Sequence, residues 1–317
     1  MSSTTPSASP PVLVAVVSWN TRDLLDACLA SLRPEADAGR ARVIVVDNAS
    51  SDGSAALAAE RHPWAELVAL EENVGFGRAV NLAAARAPAA AFVAPANADV
   101  ALEPGALEAL LAAARADPGA GVLAPRLVLD DGSTQHSLYP FPTLPFTLAF
   151  NLGVPRLSRR LADRWCLEGA WDPGRPRRAP WAIGAFLLVR RAAWDAVGGF
   201  DERQWMYAED LDLGWRLRRA GWATRYVPGA RVRHSGGAAT SQAFGDRRAA
   251  QWQRATYAWM LRRRGAARTR AVALVNVAGA AARGALARDP HRRASFRAWA
   301  RLHREGLRPA ADLERHA

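Results

Sequence analysis

Hydrophobic and polar positions alternate in blocks from residue 12 to about residue 128. "VLVAVVSW" (12–19) is an unbroken, β-branched run that predicts a buried strand. Leu24, Leu25, Cys28, Leu29 and Leu32 follow at helical spacing. The alternation continues with a strand at "RVIVVD" (42–47), a helix over 52–61, a short strand at "ELVALEE" (66–72) and a helix at "RAVNLAAARA" (78–87). A strand at "AAFVAPANAD" (90–99), a helix over 103–116 and a strand near "GVLAPRLVL" (121–129) complete the series. Strands separated by helices pair most readily in parallel, so the pattern predicts an α/β fold whose mostly parallel sheet is flanked by helices on both faces.

The pattern changes after Asp130-Asp131-Gly132. "STQHSLYPFPTLPFTLAFNLGVPRL" (133–157) is rich in proline and aromatic residues and reads as a mobile cover or acceptor-facing loop. "WAIGAFLLVRR" (181–191) returns to a strand pattern, and Leu211, Leu213, Trp215 and Leu217 predict a helix opened by Glu209 and Asp210. "ATRYVPGARVRHSGG" (223–237) suggests one or two strands ending at His234. The chain therefore divides into a polar, Pro-rich lead-in (1–11) expected to be disordered, two halves of one α/β domain (12–130 and 131–245), and an arginine-rich helical extension (246–317).

Charge changes the reading of that extension. The 317 residues carry a net charge of +12 with no lysine, and fourteen arginines against four acids place +10 of it after residue 260. Such a tail can meet anionic lipid, an acidic partner or nucleic acid, but no RRM, zinc-finger or helix-turn-helix signature supports specific nucleic-acid binding. Its apolar run "AVALVNVAGAAA" (271–282) is too short to span a bilayer and long enough to lie in the interface. Two cysteines, Cys28 and Cys166, form no disulfide framework, and no targeting segment is evident, so a cytoplasmic protein is expected.

Candidate chemistry sits where strands end, the ligand edge of such a sheet. Ser18-Trp19-Asn20, Asp47-Asn48 and Asn97-Ala98-Asp99 occupy those ends. Asp47, followed by small residues, can hydrogen-bond a base or ribose; the same stretch also suits an ordinary helix cap. In "NVGFGRAVN", Gly75 and Gly77 allow close backbone approach and Arg78 stands at a helix start, an arrangement that suits a diphosphate. The spacing matches neither a Walker loop nor GxGxxG. Asp99 is a hard oxygen ligand for Mg²⁺ or Mn²⁺, and His234 at another strand end can supply a second ligand. Glu209 and Asp210 complement the positive end of a helix, and so does Asp212, read as a solvated first-turn residue.

Taken in order, "VVSWN", "VVDNASSDGS", "NVGFGRAVN", "NADV", "GAFLLVRRAAWDAVGGFDE", "YAEDLDLGWRLRRAGW" and "RHSGG" resemble the family 2 inverting glycosyltransferases of GT-A fold, most closely the rhamnosyltransferase branch that builds bacterial cell-envelope polysaccharides. The resemblance covers residues 12 to 237. It implies a nucleotide-sugar-binding first half, with Ser18, Asn20, Asp47, Asn73, Gly75, Arg78, Asn81 and Asn97 at the donor. It implies a Mn²⁺ or Mg²⁺ held by Asp99 and His234, with Asn97 standing where the family's DxD triplet has its first acid. Asp210 corresponds to the catalytic base and Glu209 to its neighbour. Trp181, Gly184, Ala185, Trp205 and Tyr207 fall on the acceptor side, Trp205 and Tyr207 as sugar-stacking walls.

Three functions follow. The first is a transferase moving a sugar, best read as rhamnose from dTDP-rhamnose, onto a glycan or lipid-linked acceptor, its tail resting on the inner membrane face. The second is a catalytically weak nucleotide-sugar-binding partner or sensor that has lost metal affinity through Asn97. The third, nucleic-acid binding by the tail, has only charge behind it.

Overall fold

The computed structural model describes residues 11–235 and 248–309. Its first half runs β1 (Val12–Ser18), α1 (Arg22–Asp37), β2 (Ala41–Asp47), α2 (Ser54–Arg61), β3 (Glu66–Ala69), α3 (Phe76–Arg86), β4 (Phe92–Asn97), β5 (Val100–Leu102), α4 (Ala106–Ala116) and β6 (Ala120–Val128). The continuous apolar run of β1 is explained by burial on both faces. Val12, Val14 and Val16 pack with Leu25, Leu29 and Leu32 of α1, while Leu13 and Ala15 pack with Ala79, Val80 and Ala83 of α3.

The second half contributes β7 (Leu138–Tyr139), α5 (Leu144–Asn151), α6 (Val154–Leu157), α7 (Arg159–Arg164), β8 (Arg177–Ala179), β9 (Trp181–Ala182), β10 (Leu188–Arg190), α8 (Arg191–Val197), α9 (Glu209–Arg219) and β11 (Ala223–His234). The main sheet has the order β3-β2-β1-β4-β10-β6-β11-β5, with β8 on β11. Pairing is parallel from β3 to β4 and between β6 and β11, whereas β10 lies antiparallel between β4 and β6.

Several expectations need correction. The stretch 133–157 is not a bare loop: Thr143 caps α5, its Oγ1 accepting the Phe146 N–H, with a proline in the first turn. The stretch 181–191 is not one strand, because β9 leaves to pair with β7 in a separate two-stranded sheet. The short β5 had no signal of its own, since three residues gain strand form only by pairing antiparallel with the end of β11.

After residue 247 come α10 (Arg248–Arg264), α11 (Ala266–Leu286) and α12 (Pro290–His303). They are helical as expected, but α10 is no appendage. Its Tyr257 and Trp259 are fully buried and share a core with Trp181 and Leu211. Among the described residues no helix is long and apolar enough to cross a membrane. The lead-in at 1–10 and Gly236-Gly237 of "RHSGG" lie outside the described residues.

Candidate active site

The register of the parallel strands gathers the first candidates at one edge. Ser18 pairs with Asp47, and Val17 with Asn97, so three strand ends finish side by side. The backbone turns sharply there. Asn20 and Ala49 both take left-handed φ values, 51° and 60°, a conformation that costs energy without a glycine and is concentrated at functional sites. Asn20 ties the two loops together: its Oδ1 accepts the Ser51 N–H and its own N–H donates to Ser50 Oγ. Asp47 is buried; its Oδ2 accepts the Ser50 N–H, while Oδ1 has no hydrogen-bond partner among the described residues. A buried carboxylate oxygen left unsatisfied is costly, and a ligand N–H or hydroxyl would satisfy it.

Beside this edge lies a cavity of about 440 Å³. Asn97, Asp99, Gly184, Ala185, Tyr207, Glu209, Asp210 and His234 all line it, as does Asn73. Chain topology explains the meeting. Antiparallel pairing of β5 with β11 sets His234 opposite Val100, which carries Asp99 alongside, and the Ser235 N–H donates to the Asp99 carbonyl. The Asn97 N–H donates to the Ala185 carbonyl, fixing Gly184 next to the end of β4. The Gly184 N–H in turn donates to Asp210 Oδ2 at 2.9 Å. One run of contacts thus joins residues 97, 184 and 210.

Asp99 and His234 are both buried, with Asp99 Oδ1 and His234 Nε2 3.2 Å apart but outside hydrogen-bond geometry. Two donors on adjacent positions of an octahedral cation at ~2.1 Å stand about 3 Å apart, so the spacing fits a shared divalent metal. His234 Nδ1 meets Gln135 Oε1 at 2.6 Å. An amide oxygen only accepts, so Nδ1 carries the hydrogen in this contact, and in the neutral imidazole the Nε2 lone pair faces Asp99. Among the described residues no third His, Cys, Asp or Glu joins them, a donor set that leaves positions for phosphate oxygens and water. Asn97, where a second acid would sit, lines the same cavity with a neutral amide.

The acids at the head of α9 are held by strained backbone. Tyr207 and Ala208 are consecutive left-handed residues, φ 63° and 62°. Asp210 accepts two backbone N–H groups, Gly184 on Oδ2 and Leu211 on Oδ1. Glu209 Oε2 is buried with no hydrogen-bond partner among the described residues. Burial raises both carboxyl groups, Asp210 to about 6 and Glu209 to about 8, with the neighbouring Asp210 charge adding to burial at Glu209. The backbone donors favour the charged form of Asp210, so of the pair it is Asp210 that holds the negative charge while Glu209 keeps its proton.

Residues 10–255 match the family described as glycosyltransferase-like family 2. The chain belongs to glycosyltransferase family 2. It is a hexosyltransferase-type enzyme of GT-A fold with a helical C-terminal region. It is 37% identical over 233 residues, 70% of this chain and 75% of the relative, to the N-acetylglucosaminyl-diphospho-decaprenol L-rhamnosyltransferase of Mycobacterium tuberculosis. Its fold is similar to that of a mannosyltransferase from Pyrobaculum calidifontis in complex with GDP-Man and Mn²⁺ (TM-score 0.55, 18% identity, 96% of this chain and 86% of that one). It is also similar to that of GalNAc-T7 with UDP, GalNAc and Mn²⁺ (TM-score 0.53, 14% identity), where 71% of this chain spans 44% of the other.

Other expected site residues of this glycosyltransferase lie outside the cavity wall. Ser18 is buried against Thr21, which does line it. Gly75 takes φ 85° and ψ 169°, a region only glycine enters readily, and a Cβ there would strike Trp205. Trp205 therefore covers this loop, its indole donating to the Asn73 carbonyl, and is not a wall of the cavity. Asn81 holds the chain at Phe200 through hydrogen bonds in both directions. Arg78 is exposed, 3.9 Å from Glu202, and does not reach the cavity. Trp181 stands one layer back: its indole donates to Pro140, and its ring stacks on Tyr139 at 5.1 Å. Tyr139 faces the cavity, whose aromatic lining also includes Trp19, Phe76, Tyr207 and Trp252.

The reading of Asp212 as solvated is wrong. It is fully buried and accepts from Trp259 Nε1 at 2.9 Å, Arg263 Nε at 2.7 Å and Arg216 Nε at 2.5 Å. Asp212 clamps α9 to α10. That clamp brings the N-terminal end of α10, with Arg248 and Trp252, to the cavity. Sequence reasoning missed both, along with Gln135. The signal available was "TYAWM", a solid apolar block in an arginine-rich stretch that marks a helix buried in the enzyme.

Proposed function

We propose that this enzyme transfers a sugar from a nucleoside-diphosphate donor to a lipid-linked glycan acceptor with inversion, and that Asp210 is the base. The observation that carries the reading is the meeting of Asp210, Asp99 and His234 in one cavity from three separate parts of the chain. The nucleotide lies along the ends of β1 and β2, where Asp47 offers its unsatisfied Oδ1. The Mycobacterium relative acts on a diphospho-decaprenol carrier and transfers L-rhamnose, which supports dTDP-rhamnose as donor and a polyprenyl-diphosphate glycan of the cell envelope as acceptor.

The chemistry follows from the charges. An acceptor hydroxyl approaches between Tyr139 and Tyr207. Asp210 takes its proton as the oxygen bonds to the anomeric carbon, and the bond from that carbon to the diphosphate breaks on the opposite face. One base on one face gives one inversion, and Glu209 stays protonated beside it. A divalent cation held by Asp99 and His234 would neutralise charge on the diphosphate. Arg248, on the same cavity wall, adds a second positive group there.

The test is a donor screen on the purified enzyme with Mn²⁺ and lipid-linked acceptor, reading released nucleoside diphosphate and product. Turnover with dTDP-rhamnose and an inverted product linkage is expected. Turnover only with donors carrying other sugars overturns the rhamnose assignment, and a retained anomeric configuration overturns the mechanism.

A further inference from the structure

The helices α11 and α12 present a face that the chemistry of the cavity does not use. On α11 the exposed positions Arg270, Leu274, Ala278, Ala281 and Ala285 recur at steps of three and four, forming one outward strip. The strip has a neighbour on each flank. On one side a Cβ at Gly279 would strike Asn151 of α5, whose Nδ2 also donates to Asn276 Oδ1. On the other, a Cβ at Gly284 would touch Phe296 of α12. A groove of about 640 Å³ runs along this second flank. Its floor is Ala280, Ala281, Gly284 and Ala285, and its outer wall is Arg293, Arg297, Arg301 and Arg304.

Those four arginines are exposed, and no ion pair with a carboxylate is found for them among the described residues. Glu305, the acid nearest in sequence to Arg301 and Arg304, is taken by Arg254 and Arg308. Residues 266–309 hold ten arginines against two acids, Asp289 and Glu305, and Asp289 is spent capping α12. Large exposed apolar side chains lie on the same three elements: Leu274 and Trp299 are 55% exposed, Leu286 82%, and Leu152, next after α5, 77%. Arg283 binds the Phe150 and Asn151 carbonyls, which secures this end of α5 to α11.

We propose that this face, the α11 strip with its arginine row and the exposed end of α5, docks the enzyme on an anionic phospholipid bilayer. Two chemistries are present together, and only a membrane surface satisfies both. The arginines meet headgroup phosphates, while Leu152, Leu274 and Leu286 enter the acyl boundary. A free polyanion such as nucleic acid would engage the row and leave the leucines in water. The helix α10 connects face to cavity, since its first turn lines the cavity and its body packs on α11. The surface stands on its own residues; only its purpose, presenting a lipid-linked acceptor to the cavity, rests on the function proposed above.

The test is co-sedimentation of the full chain with phosphatidylcholine vesicles, with and without phosphatidylglycerol. Binding is expected only to the anionic vesicles and should weaken as salt rises. Replacing Arg293, Arg297 and Arg301 together by Gln should weaken it about a hundredfold, from ~1 kcal/mol per arginine. Leu274→Ser with Leu286→Ser should weaken it about tenfold or more while leaving the salt dependence unchanged. Both variants should keep wild-type melting temperatures and wild-type transfer to a short-chain, water-soluble acceptor, so loss of docking is separable from loss of catalysis. Equal binding to neutral vesicles, or binding indifferent to the arginine changes, overturns the proposal. Binding indifferent to the leucine changes, matched by equal affinity for duplex DNA, also overturns it and leaves a polyanion site.

Discussion

His234 Nε2 and Asp99 Oδ1 lie 3.2 Å apart, buried, and not hydrogen-bonded to each other. Two electron-pair donors in that relation repel unless a proton or a cation lies between them. The Gln135 contact favours the hydrogen on Nδ1, and the proposed function puts a divalent cation between the other two donors. Mn²⁺ should therefore raise the melting temperature of the enzyme with nucleoside diphosphate present, and EDTA should reverse the gain. Gln135→Ala is expected to weaken Mn²⁺ about tenfold, measured by titration calorimetry, because it frees the imidazole to turn. Unchanged affinity would remove Gln135 from the metal site.

The Glu209–Asp210 pair fixes a pH dependence with a definite sign. Asp210 works as a base only when deprotonated, and burial raises it to about 6. The logarithm of kcat/KM should then fall as pH drops below about 6, well above the ordinary aspartate range. Stability runs the other way. Glu209 binds its proton more tightly folded than unfolded, because burial and the Asp210 charge raise it to about 8. The stability this contributes is complete below pH ~4.5 and is lost as pH rises through about 8. Glu209→Gln should flatten the fall in melting temperature between about pH 4.5 and pH 8, since the amide has no proton to lose.

Asp212 should be the costliest acid to change. Asp212→Asn keeps the shape and removes the charge that Arg216 and Arg263 share, leaving the partly buried Arg216 without its counter-ion and Arg263 with Asp201 alone. A loss of about 3 kcal/mol is expected, read by urea denaturation. A solvated first-turn acid would change stability by less than ~0.5 kcal/mol.

The arginine on the cavity wall is Arg248, and Arg78 points elsewhere. Arg248→Ala should lower kcat/KM about tenfold to a hundredfold, with nucleoside diphosphate binding more weakly. Arg78→Ala should stay within about twofold of wild type. The reverse pattern would restore the diphosphate role that the Gly-rich loop suggests for Arg78.

Much of the fold was legible because its causes are local. The β-branched runs of β1 and β2 and the helical periodicity of α1 report burial on their own residues, and the polar residues at strand ends followed from where such strands stop. Asp47, Asn97, Asp99 and His234 could therefore be placed at one edge. What could not be read depends on distant partners. β5 exists because β11 pairs with it. Gln135 reaches His234 across ninety-nine positions of sequence. Asp212 looked like any acid of a first turn, because its partners Trp259 and Arg263 lie on a helix forty-seven or more positions away. Arg78 misled for the opposite reason: its local signal was sound, but α3 turns that side chain toward Glu202.

The most direct test of the account is the transfer rate of Asp210→Asn, measured beside its affinity for nucleoside diphosphate and Mn²⁺. The amide fits the same space and cannot take a proton at neutral pH. A fall in kcat of about a thousandfold or more, with nucleotide and metal affinity within about twofold of wild type, is the expected result. Transfer at the wild-type rate would contradict the central claim that the carboxylate held by Gly184 is the base.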